Sequence, residues 1–138
     1  MKKILVILLY VSLFSCSVTD DTPRSQTEFL PIESVSMPDE FRRNYTYTID
    51  LVYYKPSSCH VYSGIYSTAN ANESTIAVVS QVYTNISDCQ DVITEAEASF
   101  NFRPTALGTH VFKFWHSEGD VNSTSQDSYL IYEIEVVE

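Results

Sequence analysis

Basic residues and glycine are scarce in this chain of 138 residues. The sequence has 8 lysines and arginines against 18 aspartates and glutamates, which gives a formal charge of -10 at pH 7. Proteins that bind nucleic acids neutralise phosphates with positive charge, so this balance argues against DNA or RNA as a partner. With three glycines, the chain also lacks a glycine-rich loop for holding phosphates.

A hydrophobic run long enough to cross a bilayer is missing as well. Residues 4–14 form the longest run, with one serine and no charge among eleven residues, whereas a transmembrane helix needs about 20 apolar residues. Lys2 and Lys3 precede the run. A short positive segment followed by a short apolar one is typical of a secretory signal peptide. We therefore predict a cleaved signal peptide over residues 1–15.

The apolar run ends in Leu13-Phe14-Ser15-Cys16, which resembles the lipobox of bacterial lipoproteins. The resemblance implies that the leader is cut before Cys16, that diacylglycerol is attached to its thiol, and that the new N-terminus is acylated too. Several acyl chains hold a protein on a membrane more firmly than one chain does. The expected mature protein is thus anchored to the membrane by lipid and does not span it.

The polar stretch after Cys16 has no periodicity, and we interpret residues 16–27 as a flexible tether. Asp20 and Asp21 within it are similar to the acidic export signals of surface lipoproteins in the Bacteroidota. The expected location is the cell envelope, on the outer membrane, with surface display and retention on the periplasmic side both open.

Cysteine usage agrees with an oxidising compartment. Once Cys16 is assigned to the lipid, Cys59 and Cys89 remain as an even pair, and the simplest interpretation is one disulfide. A redox or catalytic thiol is the alternative, but the sequence has no Cys-x-x-Cys spacing that would favour it.

The rest of the chain has the period-two alternation of β-strands, and aromatic residues, which favour strands, make up 13% of it. Alternation and turn residues predict about seven strands after residue 28, although Glu and Ala in residues 94–98 also allow a helical turn. Strands at this spacing predict an all-β, two-sheet sandwich over residues 28–138. The predicted strands cover residues 29–37, 45–53, 59–66, 75–83, 95–102, 109–116 and 130–138.

The segment Arg103–Phe112 resembles the corner between two strands in immunoglobulin-like domains. In that family a glycine is followed two residues later by a tyrosine that opens the next strand; here Gly108 is followed by His110. The resemblance implies an immunoglobulin-like sandwich from about Phe29 to Glu138. It implies no activity, because this fold serves many functions.

The titratable residues form no clear catalytic or metal-binding pattern in the sequence. Glutamates two apart on predicted strands have a separation that glycosidases use, but they alternate with core positions as solvent-facing residues do. The acidic loop residues lack the ligand density of a calcium loop. We therefore predict no catalytic residues, no metal and no cofactor. The glutamate pairs are Glu95 with Glu97 and Glu133 with Glu135, and the acidic loops hold Asp39, Glu40, Glu118 and Asp120.

The histidines are His60, His110 and His116. His110 and His116 lie on or near one predicted strand, and a zinc site would need a third ligand from another strand, such as His60. The spacing of the last two is too wide to hold one ion alone, and the simpler interpretation makes His110 a hydrogen-bonded corner residue.

The aromatic residues are the stronger candidates for a binding site. If Phe112 faces the core, then Trp115 faces out, where its indole beside Tyr54, Tyr62 or Tyr66 could stack on a sugar or anchor a protein. The alternative is that a bulge turns Trp115 inward to fill the sandwich. Both alternatives stay open at this point.

Together these features favour a lipid-anchored, non-enzymatic envelope protein that acts as a binding or accessory module for a protein or a glycan. The alternative is a small acidic inhibitor or immunity-type lipoprotein that blocks a cationic hydrolase. Cleavage of the leader would leave 6 basic residues against 18 acidic ones, and this charge would speed association with a basic partner.

Overall fold

The structure, a computed structural model, describes residues 24–118 and 126–138. The chain there folds into β-strands, and no helix occurs among these residues. The strands are β1 (Ser25–Leu30), β2 (Ile32–Ser36), β3 (Glu40–Arg42), β4 (Tyr47–Lys55), β5 (His60–Asn70), β6 (Glu73–Tyr83), β7 (Thr94–Phe102), β8 (Gly108–Ser117) and β9 (Ser128–Val137).

Two sheets form the fold. The larger sheet has six strands: β9 lies between β3 and β8, and β8 lies beside β6. One edge of β6 pairs with β5 over the whole length of β5. The other edge pairs with β8 in the first half of β6 and with β1 in the second half. The smaller sheet has the order β2-β4-β7. The all-β, two-sheet sandwich is therefore confirmed, with nine strands among the described residues in place of about seven.

Two pairings in the larger sheet are parallel, β3 with β9 and β6 with β8. Immunoglobulin sheets are described as antiparallel, so these pairings are a departure within the sandwich. The prediction of one strand over residues 29–37 is wrong, because Pro31 has no N–H to donate and separates β1 from β2. The chain thereby passes from the larger sheet into the smaller one. The helical turn considered for residues 94–98 is also wrong, since β7 covers them.

The core lies between the two sheets and is built by alternate residues of the strands. On β7 and β9 the apolar positions that alternation assigns to the core do pack against it, and their glutamates point to solvent. The fully or nearly fully buried core residues are Leu30, Ile32, Phe41, Ile49, Leu51, Tyr53, Ile76, Val78, Phe112, Phe114, Ile134 and Val136.

Phe41 explains why the three-residue strand β3 is retained at the edge of the sheet. Its side chain is 0% exposed, and its ring lies 4.7 Å from that of Tyr47 and 5.4 Å from that of Phe102 between ring centroids. Burying a phenylalanine contributes about 1.5–3 kcal/mol. Three residues are too short to show alternation, so Glu40 was expected in a loop and lies in a strand.

The disulfide between Cys59 and Cys89 is present, with 5.4 Å between the two Cα atoms. It joins the turn before β5 to the segment 84–93 that connects β6 to β7. Thr84 N donates to Arg24 O at 3.0 Å, so the chain enters the described domain at this same end. We call it the disulfide end; β1 begins here at Ser25, inside the stretch expected to be tether.

The opposite end, which we call the C-terminal end, carries the turns at 43–46, 70–72 and 103–107 and the C-terminus. Asn44 N donates to Pro104 O at 2.7 Å, and Val111 N donates to Asn72 O at 2.7 Å. Arg43 forms an ion pair with Glu138 at 2.8 Å. These contacts tie the turns to one another.

Strand β5 is an edge strand of the larger sheet, because β6 is its only partner among the described strands. Its eleven residues include no aspartate, glutamate, lysine or arginine. Each of the other described edge strands, β1, β2, β3 and β7, has at least one glutamate.

Candidate functional site

The three histidines lie in separate places, each with a polar partner. His60 Nδ1 is 2.8 Å from Ser57 Oγ, and His110 Nε2 is 2.9 Å from Ser74 Oγ. His116 Nδ1 donates to the carbonyl oxygen of Ile32 at 2.8 Å, since a carbonyl only accepts. Across residues 24–118 and 126–138, no three His, Cys, Asp or Glu side chains come together to hold a metal ion.

The pair of Ser57 and His60 belongs to the turn before β5. Ser57 Oγ also accepts from the backbone N–H of Cys59 at 3.3 Å, and His60 N donates to Ser57 O at 3.3 Å. The other ring nitrogen of His60 lies 3.4 Å from Glu28 Oε2. The serine hydroxyl is therefore engaged in closing the turn, which is a structural role of short polar side chains.

The pair of Ser74 and His110 lies at the C-terminal end, beside a depression of about 180 Å³ that Arg103 also lines. Burial lowers the pKa of His110 from its ordinary value of 6.5. Among the residues that the structure describes, Ser74 is the one polar partner of the His110 ring, and no carboxylate orients the imidazole as in a catalytic triad. The pair holds β8 to β6, which agrees with the expectation of a hydrogen-bonded corner residue.

Four aromatic residues gather on the outer surface of the larger sheet. We call Phe29, Tyr66, Trp115 and Tyr129 the aromatic face. The Phe29 ring lies 5.6 Å from the Tyr66 ring and 5.8 Å from the Trp115 ring between centroids. Trp115 and Tyr129 are directly paired across β8 and β9. The face thus crosses the sheet from β5 to β9.

The aromatic face is partly open to solvent. Phe29, Tyr66 and Tyr129 are 41%, 45% and 36% exposed, and Ile131 beside them is 60% exposed. The outer surface of a sandwich normally carries polar residues that alternate with the core. A continuous apolar patch on a soluble domain is typical of an interaction site.

Trp115 is at the centre of this face but is only 6% exposed. Phe112 and Phe114 do face the core, so the side of the sheet was predicted correctly for Trp115. The expectation of an exposed indole is nevertheless wrong, because Phe29 of β1 lies over the ring. The inward alternative is also wrong: the register shift in β8 falls after Trp115, and the ring lies outside the core cluster.

Two depressions border the ring of Phe29, and Trp115 lines both. One, of about 250 Å³, includes Tyr66, Asp127 and Tyr129 in its lining. The other, of about 490 Å³, includes Glu28, His116 and Glu118. The aromatic face therefore offers two adjoining concave surfaces.

The charges around the aromatic face are mostly negative. Trp115 Nε1 donates to Asp127 Oδ2 at 3.2 Å, so one carboxylate lies against the edge of the indole. Lys113 also lies on this surface, but its Nζ is paired with Glu73 Oε1 at 2.9 Å. The positive charge nearest the face on β8 is thus already balanced.

Tyr66 is the one predicted tyrosine that joins Trp115. The register of β5 shifts between Tyr62 and Gly64, and this bulge places Tyr62 and Tyr66 on opposite sides of the sheet. Tyr62 packs 6.1 Å from Tyr53 between ring centroids. Burial raises the pKa of Tyr53, and the nearby Tyr62 raises it further. Tyr54 follows the buried Tyr53 in β4 and lies on the outer surface of the smaller sheet.

Phe29 and Tyr129 belong to the site and were not predicted. Phe29 precedes Pro31 in a segment expected to be a single strand, and nothing local indicates that it covers Trp115. Tyr129 lies one residue before the start of the predicted last strand. Pairing of β8 with β9 brings it to Trp115, and strand pairing could have suggested this contact once the register was known.

A shallow groove of about 430 Å³ crosses the outer surface of the smaller sheet. Short side chains such as Ser34 and Ser99 line it, together with Asp50 and Glu97. It has no aromatic ring in its lining. Among the described residues no helix is long and apolar enough to cross a membrane.

Comparison with known proteins gives no match: the sequence fits no family model, and neither a curated protein nor a solved structure is similar to it.

Proposed function

We propose that the protein is a lipid-anchored, non-enzymatic binding or accessory module of the bacterial cell envelope, and that the aromatic face binds its protein or glycan partner. The observation that carries this proposal is the cluster of partly exposed rings on the outer surface of the larger sheet. Aromatic rings contribute large contact areas and are enriched in the centres of binding sites.

The sequence of residues 1–16 supports the membrane anchor in this proposal. The lipobox ends at Cys16, and the leader and Cys16 lie outside the described residues. The described domain begins at Arg24, only a short stretch of chain after Cys16. In this arrangement the disulfide end faces the membrane and the aromatic face stands along the side of the domain.

The experiment is site-specific photo-crosslinking in native membranes with the full chain. A photoreactive phenylalanine analogue replaces Tyr66 in one variant and Tyr54 in a matched control, because the two tyrosines lie on the outer surfaces of opposite sheets. We expect a defined adduct from position 66 and none from position 54. Equal labelling at both positions, or adducts from position 54 alone, would contradict the proposal.

The inhibitor remains a second candidate function, because carboxylates surround the aromatic face. Glu28 and Glu118 line one depression and Asp127 lines the other. Carboxylates around an apolar centre complement a basic surface and steer it into place. Binding to a cationic hydrolase that weakens strongly with added salt would favour this candidate over a glycan.

A further inference from the structure

We propose that the 250 Å³ depression of the aromatic face binds an organic cation, a quaternary ammonium or a guanidinium group. This inference rests on the proposed function, in that the aromatic face is the binding surface. Three features of the described residues carry it: the rings, the carboxylate beside them, and the absence of positive charge in the lining.

Four aromatic rings line the depression, those of Phe29, Tyr66, Trp115 and Tyr129. The face of an aromatic ring carries negative electrostatic potential, so cations within about 6 Å of a ring centroid are attracted to it. Several rings around one small space are the usual way in which proteins hold quaternary ammonium groups.

The carboxylate of Asp127 lies in the lining of the depression. Because Oδ2 accepts the hydrogen bond of Trp115 Nε1 at 3.2 Å, this group is held beside the rings. A carboxylate next to an aromatic surface attracts a cation through ordinary Coulomb interaction as well. A neutral sugar would gain from the rings alone, and an anion would be repelled.

The described residues that line this depression include no lysine, arginine or histidine. Lys113, on the same outer surface, is paired with Glu73, and the lining of the adjoining depression adds the carboxylates of Glu28 and Glu118. The formal charge of -10 on the whole chain acts in the same direction. The surface therefore selects for positive charge at short and at long range.

The size of the depression matches a single head group. Pockets for whole small molecules usually occupy about 300–1,000 Å³, and this one is smaller, at about 250 Å³. A lipid or metabolite head group and an arginine side chain of a basic protein are the two sources of such a group.

The fluorescence of Trp115 tests the proposal directly, because it is the one tryptophan of the chain. The full chain is titrated with choline, with N-acetylarginine amide, and with 3,3-dimethyl-1-butanol, which has the shape of choline without its charge. We expect a saturable change in emission with at least one of the two cations. That cation should bind roughly 3- to 30-fold more tightly than the neutral isostere; which of the two binds identifies the source.

Two matched variants locate the effect. Asp127→Asn keeps an oxygen that can accept from Trp115 Nε1 but removes the charge. It should therefore weaken binding of the cation and leave binding of the neutral isostere unchanged. Glu97→Gln removes one charge from the outer surface of the smaller sheet and should change the affinity for neither ligand. Circular dichroism establishes that both variants are folded, and loss of cation binding at high salt in the wild-type chain supplies a measurement that needs no variant.

Equal binding of cation and isostere, or no saturable change with either cation, would overturn the inference. An equal loss in Asp127→Asn and Glu97→Gln would do so too. If position 66 still forms its crosslinked adduct in that event, the aromatic face keeps its proposed binding role and only the assignment of an organic cation is refuted. If the adduct is absent as well, the binding role and the ligand class are both refuted.

Discussion

Ser74 Oγ and His110 Nε2 lie 2.9 Å apart with both side chains buried, and their hydrogen bond joins β6 to β8 where these two strands run parallel. Parallel strands are joined by fewer local contacts than a hairpin, because their connection is long. A buried polar bond at this position therefore helps to fix how β8 is placed against β6.

The pH dependence of stability should follow from His110. Burial lowers the pKa of His110 in the folded chain, whereas the unfolded chain takes up this proton near pH 6.5. The stabilising contribution of the neutral ring is therefore complete above that value. It is lost as the pH falls from there through the lowered pKa.

Urea unfolding at about pH 7.5 and about pH 5 measures this effect. We expect the free energy of unfolding to decrease between the two pH values, and His110→Gln to reduce the decrease. The same decrease in His110→Gln as in the wild type would contradict the assignment to His110.

Removing the partner of His110 should destabilise the fold. Ser74→Ala leaves His110 Nε2 buried without its hydrogen bond, and such a loss costs about 1–3 kcal/mol. Ser99→Ala is the matched control, because Ser99 is exposed on β7, and its effect should stay within about 0.5 kcal/mol. Equal effects of the two substitutions on the free energy of unfolding would show that the buried bond contributes nothing.

Loss of the disulfide should be among the most costly changes. Cys59 and Cys89 are 30 positions apart, and the chain-entropy relation gives about 3–4 kcal/mol for a loop of this size. Substitution of both cysteines by serine, or reduction of the wild-type chain, should lower the midpoint of urea unfolding accordingly. An unchanged midpoint after complete reduction would contradict this expectation.

The proposed membrane anchor depends on one atom, the sulfur of Cys16. Cys16→Ser should move the protein from the membrane fraction to the soluble fraction, because it removes the acceptor of the lipid. The double variant with serine at 59 and 89 should stay with membranes. Retention of Cys16→Ser on membranes would refute lipid anchoring through this residue.

Alternation predicts the faces of β7 and β9 correctly. β7 pairs with β4 without a register shift, and the one shift between β8 and β9 falls after Trp115. Alternation places Tyr62 and Tyr66 on the same side of the sheet, which is wrong because β5 does contain a register shift between them. The bulge between Tyr62 and Gly64 reverses the sides of the sheet, and period-two reasoning assumes that no residue is inserted. Gly64 has φ of 151°, which only glycine adopts readily, so an isolated glycine in a strand was the available signal.

Of the aromatic face, Tyr66 and Trp115 could be predicted from the sequence, whereas Phe29 and Tyr129 could not, and the reason is a different one. Whether Trp115 is exposed depends on Phe29, which reaches it because β1 and β8 meet along the same edge of β6. Contacts of this kind come from the tertiary arrangement of distant segments. Composition and local periodicity therefore indicate the candidate Trp115 but neither its cover nor its full set of neighbours.

Strand β5 has one partner, β6, among the described strands, and its eleven residues include no aspartate, glutamate, lysine or arginine. Unpaired backbone groups along such a strand can template the addition of strands from other molecules. In neutral solution the formal charge of -10 keeps the molecules apart. Charge repulsion between molecules, rather than charged side chains on β5, therefore prevents association through this edge. Solutions should become turbid as the carboxylates protonate near about pH 4.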